Sequence, residues 1–111
     1  MLLKDKICFV SGAGKGLGRA IVEAFLREGA IVYANDREIG SLEFYADNPN
    51  VEIMYFDVSD SYADKEAIFR IKKEKGCLDV LVNNAGIMTD ALIGTISRAL
   101  MEEIFATNVF G

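Results

Sequence analysis

The stretch SGAGKGLG, residues 11–18, places a glycine at every second position between an apolar run and a helical pattern. We call it the glycine loop. The dinucleotide fingerprint G-x-G-x-x-G fails in every register, because no third glycine falls at the required position. The phosphate loop of nucleotide hydrolases also fails, since neither Ser nor Thr follows Gly14 and Lys15. A looser glycine spacing remains to be explained.

That looser spacing consists of Gly12, Gly16 and Gly18. A helix that starts near Leu17 would direct its free amide hydrogens and positive dipole end at an anion above the loop, and a pyrophosphate fits. Gly12 would permit the tight turn, Gly16 the approach of the phosphate, and Gly18 close contact between helix and sheet. The alternative is a merely flexible turn, for which four alternating glycines are a high cost in backbone entropy.

Asp36 lies eighteen residues after Gly18, just beyond a second apolar run. A carboxylate there can accept both hydroxyls of an adenosine ribose and would repel a 2'-phosphate, which favours NAD over NADP. Arg37 keeps NADP open, because its guanidinium could hold that phosphate instead. The plain alternative for Asp36 is an acid in an ordinary turn.

Two further apolar runs end in groups that could contact a nucleotide. After the third run, the side chain of Asp57 could meet the amino group of an adenine while Val58 presents its backbone amide. After the fourth run comes a group of amides and small residues, Asn83, Asn84, Ala85 and Gly86. The two amides could tie adjacent loops together, and the small residues would leave a flat surface for a sugar.

The composition excludes several classes of function. The chain has 111 residues, a net charge of -5 and no basic block, so it predicts one domain without a nucleic-acid partner. No apolar run approaches the roughly 20 residues of a membrane span, and we expect a cytoplasmic protein. The absence of histidine excludes a Ser-His-Asp triad and a histidine-ligated metal. Cys8 and Cys77 lie in apolar surroundings, as expected of reduced, buried thiols.

Apolar strands alternate with helical patterns along the chain. The predicted strands cover residues 6–10, 30–34, 51–56 and 78–82, and the predicted helices cover residues 17–28, 38–45, about 60–75 and 97–105. This order at crossover spacing favours a parallel sheet with helices on both faces. Because the carboxyl ends of parallel strands share one edge, the four polar or glycine-rich groups should gather there.

The motifs SGAGKGLG, Asp36, DVS, NNAG and the terminal NVFG, in this order and spacing, resemble the short-chain dehydrogenase/reductase family. The family's glycine motif begins with Thr or Ser and has the same loose spacing, and the resemblance covers the whole chain. It implies a three-layer α/β fold in one domain over residues 1–111, a Rossmann-type doubly wound parallel sheet truncated to about four strands in the order 3-2-1-4. It also implies a nicotinamide cofactor and hydride transfer between an alcohol and a carbonyl.

The resemblance assigns a role to each candidate site residue. Pyrophosphate and the adjacent ribose would be held by Ser11, Gly12, Gly14, Lys15, Gly16, Leu17 and Gly18. The adenosine ribose would contact Asp36, next to Arg37, the adenine would contact Asp57 and Val58, and the nicotinamide side would contact Asn84, Ala85 and Gly86. Asn108 would be the family's active-site asparagine, which kinks its helix and orders a water in the proton relay.

One part of the family pattern is missing. The family uses a Tyr with a Lys four residues later, plus a Ser, and none of the four tyrosines here is followed by Lys at that offset. Since family members are about twice as long, the chain is interpreted as the amino-terminal, cofactor-binding half of an oxidoreductase whose intact form acts on a small molecule. The alternative is a non-catalytic dinucleotide-binding or assembly module. Residues 78–82 would form an uncovered edge strand, which predicts a homo-oligomer.

Overall fold

Strands and helices alternate along residues 2–84, the part of the chain that the computed structural model describes. The strands are β1 (Ile7–Val10), β2 (Ile31–Asp36), β3 (Val51–Tyr55) and β4 (Val80–Val82). The helices are α1 (Gly16–Arg27), α2 (Ser61–Lys75) and a single 3-10 turn at Glu43–Tyr45. All strand pairs are parallel and the order is β3-β2-β1-β4. This confirms the predicted Rossmann-type sheet in the order 3-2-1-4.

The two helices cover opposite faces of the sheet. Alternate residues of a strand point to opposite sides, so the side chains of β1 identify the two faces. On one face, Cys8 and Val10 of β1 belong to the hydrophobic cluster that contains the buried stripe of α1. On the other, Ile7 and Phe9 belong to the cluster that contains Ile71 of α2. The sheet is therefore the middle of three layers, and β1 is buried at all four positions.

Local signals explain where the helices begin and end. The predicted apolar stripe of α1 is buried, and the helix starts and ends one residue earlier than predicted. Asp60 caps α2, since its carboxylate accepts the amide hydrogens of Tyr62 at 3.1 Å and Ala63 at 3.2 Å. Gly76, with φ 83°, ends α2 in the left-handed conformation that glycine adopts at low cost.

The predicted helix over residues 38–45 is reduced to the single turn at Glu43–Tyr45. Gly40 has φ 96°, a conformation that no α-helix contains, and it interrupts the segment. β4 begins two residues later than predicted, although Asp79 still contacts β1: its backbone amide donates to the Ile7 carbonyl at 2.8 Å, and its carboxylate accepts the Ile7 amide hydrogen at 2.8 Å in place of a backbone carbonyl. The predicted helix over residues 97–105 lies outside the described residues.

The helices and the two cysteines within residues 2–84 can be compared with what the composition predicts. Neither helix within residues 2–84 is long and apolar enough to cross a membrane. Cys8 and Cys77 are both free thiols; Cys8 is buried as predicted, and Cys77 is half-buried. Burial raises the pKa of the Cys8 thiol to about 12, with a smaller contribution from the nearby charge of Asp79.

Candidate nucleotide-binding site

The glycine loop is fixed between the carboxyl ends of β4 and β2, the two strands that flank β1. On the β4 side, the Ser11 amide donates to the Val82 carbonyl at 3.0 Å, and on the β2 side the Ala13 amide donates to the Asn35 carbonyl at 2.8 Å. These bonds bring the loop, the end of β2 and the end of β4 together at one edge of the sheet. Ligands of open parallel sheets bind at this edge.

Two glycines of the loop have backbone conformations that side chains disfavour. Gly12 has φ 62° and Gly16 has φ 60°, both in the left-handed region. At Gly12 this is the tight turn after β1. At Gly16 the sequence suggests only the approach of a phosphate, and the structure adds a backbone turn into α1. A side chain at Gly16 would therefore strain the chain as well as occupy space above it.

Gly18 allows α1 to lie directly against the loop. A Cβ atom on Gly18 would collide with the carbonyl oxygen of Gly12 and would lie 2.6 Å from Nδ2 of Asn84. The close contact predicted between helix and sheet is thus made to the start of the loop and to the residue group that follows β4. Any side chain larger than hydrogen would separate these elements.

The amino end of α1 is open to an anion. Lys15, the residue before the helix, is extended and exposed, its side chain makes no cap, and the first turn holds no acid. The amides of Gly16, Leu17 and Gly18 precede the first intrahelical donor, Arg19, whose amide donates to the Lys15 carbonyl at 3.4 Å. Donors of this kind, with the positive helix end behind them, favour a phosphate.

The carboxylate of Asp36 is held by two backbone amides. Its Oδ2 accepts the amide hydrogen of Gly14 at 3.0 Å, and its Oδ1 accepts that of Glu38 at 2.9 Å. A Cβ atom on Gly14 would lie 2.7 Å from Oδ2, so the loop glycine is needed for this approach. Asp36 is half-buried, Arg37 beside it is exposed, and the acid is fixed at the mouth of the loop with lone pairs left for further donors.

Asn84 ties the end of β4 to the glycine loop, as the sequence suggests. Its backbone amide donates to the Ser11 hydroxyl at 2.9 Å and its Nδ2 donates to the Gly12 carbonyl at 3.3 Å. Ser11 is buried, and its hydroxyl also approaches Oδ1 of the exposed Asn83 at 3.3 Å, so its side chain joins β1 to β4. Among the described residues, Oδ1 of Asn84 is buried without a hydrogen-bond partner. It is an acceptor that a donor on a bound molecule could satisfy.

Asp57 follows β3 and forms a tight turn of its own. Its Oδ1 accepts the backbone amide hydrogen of Ser59 at 2.9 Å and the Ser59 hydroxyl at 2.8 Å. These bonds, the backbone one first, lower the pKa of the Asp57 carboxyl, and the group is ionised near neutral pH. Val58 is half-buried and packs against the cluster under α2.

Two residues at this edge are not found by motif reasoning. Asn35 is buried at the end of β2 and binds backbone carbonyls of the β3 segment. The signal for it is a polar residue continuing an apolar strand. The hydroxyl oxygen of Ser41 would lie 2.8 Å from a Cβ atom on Gly14, so this side chain helps to enclose the loop. Nothing in the sequence marks Ser41, because it reaches the loop only through the fold.

The sequence of the chain is similar to those of known dehydrogenases and reductases. A family model described as short chain dehydrogenase matches residues 6–111. The 2,3-dihydro-2,3-dihydroxybenzoate dehydrogenase of Bacillus subtilis is 34% identical over 98% of this chain and 44% of its own length. The 3-oxoacyl-[acyl-carrier-protein] reductase FabG of Thermotoga maritima is 34% identical over 100% of this chain and 47% of its own length.

Solved structures agree with the sequence matches. A short-chain dehydrogenase from Streptomyces avermitilis superposes with a TM-score of 0.68 and 35% identity, over 75% of this chain and 31% of that protein. The chain spans less than half of the length of the curated relatives that it matches.

Proposed function

Because the chain belongs to the short-chain dehydrogenase family, we propose that it is the cofactor-binding portion of an oxidoreductase that transfers hydride between NAD(P)(H) and an alcohol or carbonyl substrate. In this proposal residues 1–111 form one dinucleotide-binding domain. The cofactor, when bound, supplies the hydride or accepts it. The residues of this chain bind the cofactor and fix its orientation.

The open amino end of α1 is the observation that carries the proposal. Helix starts are commonly capped by a side chain, and here no side chain of residues 2–84 takes that place. The glycine loop instead leaves the amides of Gly16, Leu17 and Gly18 for a diphosphate. The positive charge of Lys15 adds to the helix dipole, and the backbone can be approached closely at Gly12 and Gly16.

Asp36 supports NAD as the preferred cofactor. Its carboxylate is held next to the loop by the amides of Gly14 and Glu38, so it can accept ribose hydroxyls without reorganising. A 2'-phosphate at the same place would meet a fixed negative charge. Arg37 is exposed and is the residue that would favour NADP if its guanidinium turned toward the site.

The remaining contacts are proposed from the order of the strand ends. Asp57, which is ionised, would accept from the amino group of the adenine, and Val58 would present its amide. On the nicotinamide side, Oδ1 of Asn84 has no hydrogen-bond partner within residues 2–84, which supports a donor on the cofactor. Ala85 and Gly86, which would face the sugar there, lie outside the described residues.

The proton chemistry of the reaction has no complete set of residues in this chain. Asn108 is proposed as an auxiliary residue of the proton relay and lies outside the described residues. No Tyr is followed by Lys four residues later, and the second candidate function, a dinucleotide-binding or assembly module without catalysis, rests on that sequence fact. Its discriminator is a downstream Ser and Tyr-x-x-x-Lys in the intact protein.

We also propose that the substrate of the intact protein is a small molecule. The cytoplasmic location is a prediction from the sequence. We also propose a homo-oligomer, since within the described sheet β4 pairs with β1 alone.

Calorimetric titration with NAD⁺ and NADP⁺ tests the proposal. We expect NAD⁺ to bind more tightly, and Asp36→Ser to weaken NAD⁺ by about tenfold or more, because hydrogen bonds to a carboxylate are lost. The matched control is Glu38→Gln, which removes an equal charge from an exposed side chain two residues away. Failure of the unmodified chain to bind either dinucleotide would overturn the proposed function. Equal or tighter binding of NADP⁺ would overturn the preference and transfer it to Arg37.

A further inference from the structure

A polar side chain occupies a core position at the end of β2. Asn35 is only 2% exposed, and the alternation of the strand places it on the same face as Ile31 and Tyr33, which pack in the cluster under α2. An apolar residue would ordinarily fill this position. A buried amide is unfavourable unless it is hydrogen-bonded, so its partners indicate what it is for.

The side chain of Asn35 continues the pairing of β2 with β3 where the backbone ladder stops. The ladder ends at Asp36 opposite Tyr55, and its last backbone bond runs from the Phe56 amide to the Asp36 carbonyl at 3.2 Å. Nδ2 of Asn35 donates to the carbonyl of Phe56 at 3.1 Å and to that of Met54 at 3.2 Å. The amide group therefore supplies the donor that the Phe56 carbonyl would otherwise lack.

Asn35 also contacts the glycine loop, through its backbone. Its carbonyl accepts the amide hydrogen of Ala13 at 2.8 Å. One residue thus joins three parts of the proposed site: the loop through its carbonyl, Asp36 as its neighbour in sequence, and the segment that leads into Asp57 through its side chain.

The segment after Phe56 depends on this attachment. Asp57 is exposed, and the hydrogen bonds of its carboxylate within the described residues go to Ser59, two positions along the same turn. The turn is attached to the sheet through Phe56, and Val58 beyond it packs against the cluster under α2. The position of the Asp57 carboxylate relative to the loop is therefore set by the packing of Val58 and by the bonds on both sides of Phe56, one of which comes from Asn35.

We propose that Asn35 is a positioning residue for base recognition: its side-chain amide fixes the Phe56 carbonyl, which places the Asp57 carboxylate opposite the amino group of a bound adenine. This inference rests on the proposed function of the site. It assigns to a core residue the selectivity for adenine over a base that carries an oxygen at the same ring position. A role confined to stability would lower the free energy of unfolding without changing that selectivity.

The test compares two ligands that differ at one atom of the base. NAD⁺ carries the adenine amino group, and nicotinamide hypoxanthine dinucleotide carries a carbonyl oxygen there, which a carboxylate repels. We expect the unmodified chain to prefer NAD⁺ by about tenfold in calorimetric titrations. Asn35→Leu, which keeps the branched shape of the side chain but removes the donor, should bring the two affinities within about twofold of each other.

Tyr33→Phe is the matched control. Tyr33 is buried on the same face of β2, two residues earlier, and its hydroxyl donates to Glu74 Oε1 at 2.8 Å, away from the loop. Its removal should lower the melting temperature and leave the ratio of the two affinities at its original value. An unchanged ratio in folded Asn35→Leu would overturn the inference while leaving the proposed function intact, since NAD⁺ binding itself tests the latter.

A measurement on the unmodified chain decides the matter if Asn35→Leu does not fold. The two side-chain amide hydrogens of Asn35 give a resolved pair of signals in nitrogen-correlated NMR spectra. These signals should shift when adenosine monophosphate is added and stay in place when nicotinamide mononucleotide is added. Saturation with adenosine monophosphate without any shift of the Asn35 pair would overturn the inference.

Discussion

Replacement of Gly18 by alanine should separate α1 from the glycine loop. The new Cβ atom would collide with the Gly12 carbonyl oxygen and lie 2.7 Å from its carbon. Because the obstacle is backbone, no rotamer change relieves it. Ordinary carbon contacts are about 3.5 Å, so the helix start must move by at least about 0.8 Å, and further to clear the oxygen.

That movement has two unfavourable consequences and one favourable one. Overpacking of this kind costs about 1–3 kcal/mol. The bond from Asn84 Nδ2 to the Gly12 carbonyl, already 3.3 Å long, would break, and leaving its groups unpaired costs about 1–3 kcal/mol. Alanine gains about 1 kcal/mol over glycine inside a helix. These contributions sum to about 1–5 kcal/mol, and we expect Gly18→Ala to lower the free energy of unfolding by about 3 kcal/mol, the middle of that range, and the melting temperature by about 15 °C.

Thermal unfolding followed by circular dichroism, with an NAD⁺ titration in parallel, measures this effect. Gly76→Ala is the control: Gly76 has φ 83° and an added Cβ atom would meet nothing within 4 Å, so it isolates backbone strain from collision. It should cost about 1–2 kcal/mol and leave NAD⁺ affinity unchanged. A Gly18→Ala chain as stable as Gly76→Ala, with unaltered NAD⁺ binding, would refute the reasoning.

The remaining predictions concern the thiols, the state of association and the activity of the chain. Burial raises the pKa of Cys8 from 9.0 to about 12, so a thiol reagent at pH 8 should label Cys77 in the folded chain and Cys8 only after unfolding, as peptide mass spectrometry would show. Since the raised pKa favours the neutral thiol, the contribution of Cys8 to the free energy of unfolding is complete below pH 9.0 and falls as the pH rises toward about 12. Cys8→Ala should remove this part of the loss of stability at alkaline pH. Labelling of Cys8 in the folded chain would contradict both statements. The 111-residue chain should form dimers or larger species in light scattering at several concentrations, because β4 presents an open edge in the described sheet, and it should show no dehydrogenase turnover, since a missing general acid alone costs about a hundredfold or more in rate. A strict monomer would refute the first of these expectations, and measurable NAD-dependent alcohol oxidation would refute the second.

The sheet and its helices are predictable because their patterns are local. The stripe of Leu17, Ile21 and Phe25 recurs at helical spacing and is buried in α1 as expected. The end of β2 is not local in this sense. Asn35 and Asp36 look like the polar close of a shorter strand, and they continue it because β3 supplies partners across the ladder.

The candidate site also has a part that local sequence patterns predict and a part that depends on contacts between distant residues. Gly12 and the start of α1 follow from spacing, since a tight turn with a left-handed backbone conformation favours glycine whatever lies nearby. The two amides that hold Asp36 come from Gly14 and Glu38, and the first of them is 22 residues away in sequence. That contact depends on the loop folding over the end of β2, which no motif specifies.

The hydrogen bonds that complete the glycine loop set an order on its formation. The Ala13 amide finds Asn35 after one strand and one helix have been added, whereas the Ser11 hydroxyl waits for Asn84, 73 residues later. Pairing across so long a separation must first pay the entropy of closing the intervening chain. During synthesis the loop can therefore dock on β2 early, but it reaches its final shape only when β4 has been made and inserted beside β1. The glycine loop, although it is synthesised early, is thus among the last parts of the molecule to reach its final structure.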